Sequence, residues 1–167
     1  HEDRARVSSY YLVSAGTAVA AILGVQREEV MPSLTMGFAA IFAILFIIGV
    51  LTLLQMIRLR QAWYESAGAM NRIKDYYQQR FPDAELSLAL AWTSSTLPAR
   101  GKIWSVAFLL AFSVMLIDAC AAAGSIIFYG YGTYGDDVLY RNWAIGAGVA
   151  LLIAQIIAYR LLLRGKP

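Results

Sequence analysis

Met36 to Ile57 is a run of 22 residues without one charged side chain. A helix of roughly 20 apolar residues crosses a hydrocarbon core of about 30 Å, and in that medium every backbone amide needs a partner inside the protein, which helices supply within themselves. This stretch therefore reads as a membrane-spanning helix. Three more apolar runs, at 8–25, 103–128 and 142–162, repeat the signal. The fold class expected is all-α: a polytopic membrane protein with a four-helix transmembrane bundle. The composition agrees, since 59% of the 167 residues are hydrophobic, 15% are charged and the mean hydropathy is +0.57, well above the range of soluble domains.

The first run, "SSYYLVSAGTAVAAILGV", is short and rich in small residues. It is expected to pack inside the bundle, with Tyr10 and Tyr11 as anchors at headgroup level. The sequence opens on His1 rather than Met, which leaves room for a longer N-terminal region, and no charged-apolar-small pattern of a cleaved leader precedes the first run.

Orientation follows from the cations. Arg4 and Arg6 precede the first run. Arg58, Arg60, Arg72, Lys74, Arg80, Arg100 and Lys102 lie between the second and third, and Arg160, Arg164 and Lys166 follow the fourth. The two other connections hold only Arg27 and Arg141, beside Glu28, Glu29, Asp136 and Asp137. The positive-inside bias places both termini and the middle segment in the cytoplasm, so the chain is expected to be a multi-pass protein of the cell membrane whose first partner is the bilayer. Three regions result: residues 1–57 with two spans, 58–102 as a cytoplasmic segment, and 103–167 with two more spans.

No proline interrupts Gly37 to Gln79, so the second span is expected to run on into the cytoplasm as a stalk until Phe81-Pro82 stops it. Along the stalk Leu59, Trp63, Ser66, Met70, Ile73 and Tyr77 recur at spacings of four and three, a heptad seam. Such a seam needs a partner, which is either the same helix of another copy or another part of this chain. After Asp83, a candidate N-cap, "AELSLALAW" forms a short apolar helix. Ser94, Ser95, Thr96 and Pro98 then break the chain, and Trp92 and Trp104 flank the re-entry. An interfacial helix on the inner leaflet accounts for that pattern, and so does packing against the stalk.

Within the spans the conspicuous residue is Asp118. At 1.5 Å per residue it lies about 15 Å in from Phe128, Gln155 lies about 18 Å in from Trp143 and Ser14 about 16 Å in from Val25, so the three share a depth. A polar layer of Asp118 and Gln155, joined by Ser14 or Thr17, is expected. An ionisable group at that depth faces the bundle interior or water. It serves as a neutral acid joining helices if the site is dry, and as an ion-facing carboxylate of an oligomeric pore, or a proton carrier, if water reaches it. Gly16, Ala20 and Gly24 in the first run, and Gly146, Ala150, Ala154 and Ala158 in the fourth, repeat at four-residue spacing and are expected to be helix-packing faces.

"YGYGTYGDD" at 129–137 superficially resembles a potassium filter, but no length remains for the pore helix that a filter requires. An outer turn with aromatic anchors is expected instead. No enzyme is expected, because no nucleophile has a base partner when the sole histidine is His1 and the sole cysteine is Cys120. Those counts also argue against a metal site or any other cofactor. The net charge of +3 follows from the cytoplasmic bias and attraction to anionic lipid, so no nucleic-acid partner is expected.

Two spans leading directly into a long charged helix, "LLQMIRLRQAWYESAGAMNRIKDYYQQRF", resemble the SLATT-type and related membrane effectors of bacterial conflict and antiphage systems, over residues 8–81. The resemblance implies a homo-oligomer that permeabilises the bacterial inner membrane when a cytoplasmic or membrane partner signals. This chain departs from the simple pattern by adding two further spans. The function expected is a pore- or channel-forming effector gated through its stalk; the alternative is a non-catalytic accessory or scaffold subunit of a larger membrane complex.

Overall fold

The computed structural model describes residues 2–23, 32–81, 105–134 and 137–164. Among them the chain is all-helical, with α1 (Glu2–Leu23), α2 (Pro32–Arg80), α3 (Val106–Tyr134) and α4 (Asp137–Arg164). The proposed N-cap Asp83, the "AELSLALAW" helix, Trp92, Trp104 and the packing candidate Gly24 lie outside the described residues.

Three of the helices, α2, α3 and α4, are long and apolar enough to cross a membrane. The fourth, α1, opens with Glu2, Asp3, Arg4 and Arg6, which shortens its apolar part. Pro32 stands at the start of α2, where its missing N–H is no loss. From there 49 residues run without a break, a rod of about 73 Å. The helix ends at Arg80, before Phe81-Pro82.

The centre of the bundle is α3, which touches each of the other helices, and its broadest contact is with α2. Ser105 caps it: the Oγ accepts from the Phe108 amide at 3.3 Å. Ala111, Val114, Met115, Asp118 and Ala119 recur at helical spacing and form the buried stripe. Toward the C-terminal end of α3, Phe128 packs on Phe38 and Phe42 of α2, Ser125 donates to the Ala39 carbonyl at 3.0 Å, and Gly124 lies flat against the Phe42 ring. Small residues thus bring α2 and α3 close.

Several expectations are corrected here. Tyr129 to Tyr134 is the last part of α3 and not a turn. Its carbonyls belong to a helix rather than to a filter, and Gly130 makes way for the Tyr140 ring as Gly132 does for Thr35. α1 does not pack inside the bundle: of its described side chains only Tyr11 and Ala15 are buried, and Gly16 and Ala20 are exposed. The small-residue face of α4 is likewise turned away. Gly146, Ala150, Ala154 and Ala158 are exposed, while Ala144, Gly148, Gln155, Tyr159 and Leu163 form the inner stripe. Gly148 makes the close approach, because a Cβ there would meet the Ala119 carbonyl oxygen at 3.3 Å. The physical reason is rotational: 146 is two residues, about 200°, round from 144 and 148, and in an apolar helix both sides carry small residues.

Candidate functional site

The polar layer draws one residue from each helix. Asp118, on the inner stripe of α3, is 1% exposed. Gln155 of α4 donates from Nε2 to its Oδ2, and Tyr11 of α1 donates from Oη to Oδ1 at 3.5 Å. Both donors are buried, Tyr11 at 2% exposure and Gln155 at 7%. The fourth contribution is an absence of side chain. Gly49 of α2 faces the carboxylate, and a Cβ there would collide with Asp118 and stand 2.5 Å from Tyr11 Oη. Gln155 Oε1, buried with the rest, accepts no hydrogen bond from the described protein.

The structure brings Asp118 and Gln155 together but not Ser14 or Thr17. Both are exposed, and their hydroxyls bond back to carbonyls of their own helix, Ser14 Oγ to Tyr10 at 2.9 Å and Thr17 Oγ1 to Val13 at 2.9 Å. This is the usual way for such side chains to satisfy themselves inside a helix. Tyr11, expected at the headgroups, takes the inner place, because of two adjacent tyrosines about 100° apart only one can face out. Tyr10 is the exposed one. A glycine in the middle of the long apolar run of α2 was the available signal for Gly49, since glycine in an apolar helix can mark close approach.

A second buried polar cluster marks the root of the stalk. Arg60 is 5% exposed and donates from Nη1 to Tyr159 Oη at 2.6 Å, with the Tyr64 and Tyr159 rings each 5.9 Å from its guanidinium carbon. Phe108 meets Tyr159 edge-on, and Gln61 Nε2 donates to the Leu162 carbonyl at 2.7 Å. Arginine suits this position, being planar and more weakly hydrated than an ammonium, and it stacks on aromatic faces. Tyr159 lies one turn beyond Gln155 on the inner face of α4, so the two clusters form successive layers. On the sequence Arg60 carried only an orientation signal; the i, i+4 spacing of Arg60 and Tyr64 was the legible hint of more.

Along the stalk proper, Trp63, Ser66, Met70, Ile73 and Tyr77 are exposed and Leu59 is half-buried. A flank of the same helix about 120° round from the seam, with Arg60, Tyr64 and Asn71, is the buried one. From Trp63 onward the heptad seam is therefore exposed. Comparison with known protein families, with curated proteins and with solved structures gave no match.

Proposed function

We propose that the chain is a four-span membrane protein, its termini in the cytoplasm, whose copies associate through their stalks and form a gated pore. The observation that carries this reading is α2: one unbroken helix joins an apolar span to a cytoplasmic rod whose seam of Trp63, Met70, Ile73 and Tyr77 is exposed. A large apolar face in water calls for a protein partner, and a seam with heptad spacing is matched by its own copy. Displacement of the stalk reaches the spans directly, because the Arg60–Tyr159 and Gln61–Leu162 bonds tie its root to α4. The outward small-residue face at Gly146, Ala150, Ala154 and Ala158 offers a second contact between copies within lipid. The position of Tyr11 opposite Gly49, in the middle of the apolar run of α2, supports α1 as the remaining span.

One observation favours the accessory or scaffold reading. Asp118 is sealed among four helices of one subunit, where it joins helices and faces no surface that copies share. In the pore reading the conducting path accordingly runs between subunits. Planar-bilayer conductance of the purified protein decides: currents that disappear when Trp63→Glu and Met70→Glu disperse the oligomer support the pore, and silence from intact, folded oligomers supports the scaffold.

A further inference from the structure

The exposed side of the stalk is wider than the seam of a two-stranded coiled coil. At about 100° per residue, Trp63, Met70 and Tyr77 lie together, Ser66 and Ile73 beside them, and Ala62, Ala69 and Tyr76 beyond, over an arc of about 140° that holds no charged residue. All of these side chains are exposed. Written as heptads a to g, position a is Trp63, Met70 and Tyr77, position d is Ser66 and Ile73, and position g is Ala62, Ala69 and Tyr76. Two-stranded coiled coils favour a β-branched residue at a, Leu at d and charged residues at g. None of the three holds here: the β-branched Ile73 stands at d, as it does where strands associate in threes and fours, and g is apolar.

We infer that copies of this chain close a parallel ring of stalks with more than two members, each inserting Trp63 and Met70 into holes that its neighbour forms around Ala62, Ser66 and Ala69. The inference rests on stalk association as proposed above. Because α2 is unbroken from its apolar run to Arg80, copies set in one membrane present each stalk residue at the same height and in the same direction. A side chain at a then enters a hole of four residues on the facing helix. For Trp63 the walls are Leu59, Ala62, Trp63 and Ser66 of the next copy, and for Met70 they are Ser66, Ala69, Met70 and Ile73. Small walls make room for large knobs. Ser66, a weak member of an ordinary seam, serves both holes. In a mere pair, two indoles would meet across the axis at one height; additional copies widen the axis and turn each indole toward its neighbour's small edge. The knob is also held in place beforehand: the Trp63 ring meets the buried Tyr64 ring edge-on at 5.0 Å, so less side-chain freedom is lost on association. Large edge on small edge is a heterologous contact, which closes as a ring.

The test is native mass spectrometry of the purified full chain in detergent over a range of protein concentration, for the wild type and for a variant carrying Ala62→Leu and Ala69→Leu together. Both sites are exposed, and leucine is nearly as good a helix former as alanine, so the subunit keeps its fold; circular dichroism and the unfolding midpoint check this. Filling the holes overpacks the contact and weakens assembly by about tenfold or more. A face that is only apolar, without holes, instead gains area from the two leucines and associates more tightly. The sign of the change therefore decides. The expected result is a wild-type copy number above two that the double variant loses, by dissociation or by a change of copy number. A wild-type dimer overturns the ring and leaves stalk association standing, whereas a wild-type monomer removes stalk association and the ring with it. Assembly of the double variant at the wild-type copy number, with equal or higher affinity, overturns the knob-and-hole contact. Conductance does not enter, so a silent bilayer experiment leaves the inference standing.

Discussion

The two halves of α2 both expose large apolar side chains, for opposite reasons. In the half up to Ile57, Ile41, Ile44, Ile47, Ile48, Leu51 and Leu54 point outward while Ala39, Leu45, Gly49, Thr52, Leu53 and Met56 turn inward. On the proposed four-span reading lipid satisfies that outer face, because acyl chains are as apolar as leucine. In the half beyond Arg58, Trp63, Met70, Ile73 and Tyr77 are exposed to the same degree, but on the proposed reading the solvent there is water. Burying each of them is worth about 1.5–3 kcal/mol. Equal exposure is thus neutral in one half and an unmet demand in the other, and the solvent makes the difference.

That contrast breaks most readily at the stalk. Introducing Trp63→Glu and Met70→Glu together removes two apolar anchors and sets like charges across a self-paired seam, so association should weaken by about 3 kcal/mol or more, over a hundredfold. The subunit's own unfolding should change by less than about 0.5 kcal/mol, as for surface sites generally. Native mass spectrometry and thermal unfolding read the two quantities; an unaltered oligomer would remove the stalk from the assembly.

In the membrane half the sensitive face is the inner one. Gly49→Leu forces a side chain into the Asp118 carboxylate and Tyr11, at a cost of about 3 kcal/mol, the upper end for overpacking. The expected readout is a lowered unfolding midpoint with no change in oligomer size once folded. A neutral result would mean that α2 does not approach the layer this closely.

Asp118 separates a bond from a charge. Asp118→Leu strands Tyr11 Oη and Gln155 Nε2 and should cost about 2 kcal/mol, whereas Asp118→Asn still accepts and should cost under about 1 kcal/mol. Parallel unfolding curves in one buffer give the ratio, and equal losses would argue that the acid group itself, and not only an acceptor, is what the layer uses.

The smallest effect is expected at Ile48→Ala. This side chain is exposed on the outer side of α2, so stability in detergent or bilayer should move by less than about 0.5 kcal/mol. A loss as large as that of Gly49→Leu would show that this face is covered by protein, and the proposed subunit boundary would have to shift.

The functional layer was half legible. Asp118 and Gln155 stood out because a polar residue in an apolar run is visible without knowing which way it faces, and the short connection between α3 and α4 makes them antiparallel neighbours. Ser14 and Thr17 misled because depth along a helix says nothing about rotation around it. Gly49 and Tyr11 went unread as site residues because their roles are relational: one provides space, the other reaches a partner 107 positions away in the chain.

By itself the sequence determined that the described residues are helical, that three of the helices are long and apolar enough to cross a membrane, and that α2 continues past the end of its apolar run. These are local properties, set by the length of uncharged stretches and by where proline stands. Only the tertiary structure decided which side of each apolar helix turns inward: Tyr11 rather than Ser14, and Gly148 rather than Gly146. In water, polarity marks the outer face and periodicity reveals it. Where lipid and protein interior are equally apolar that mark is missing, and close packing of shapes chooses the face instead.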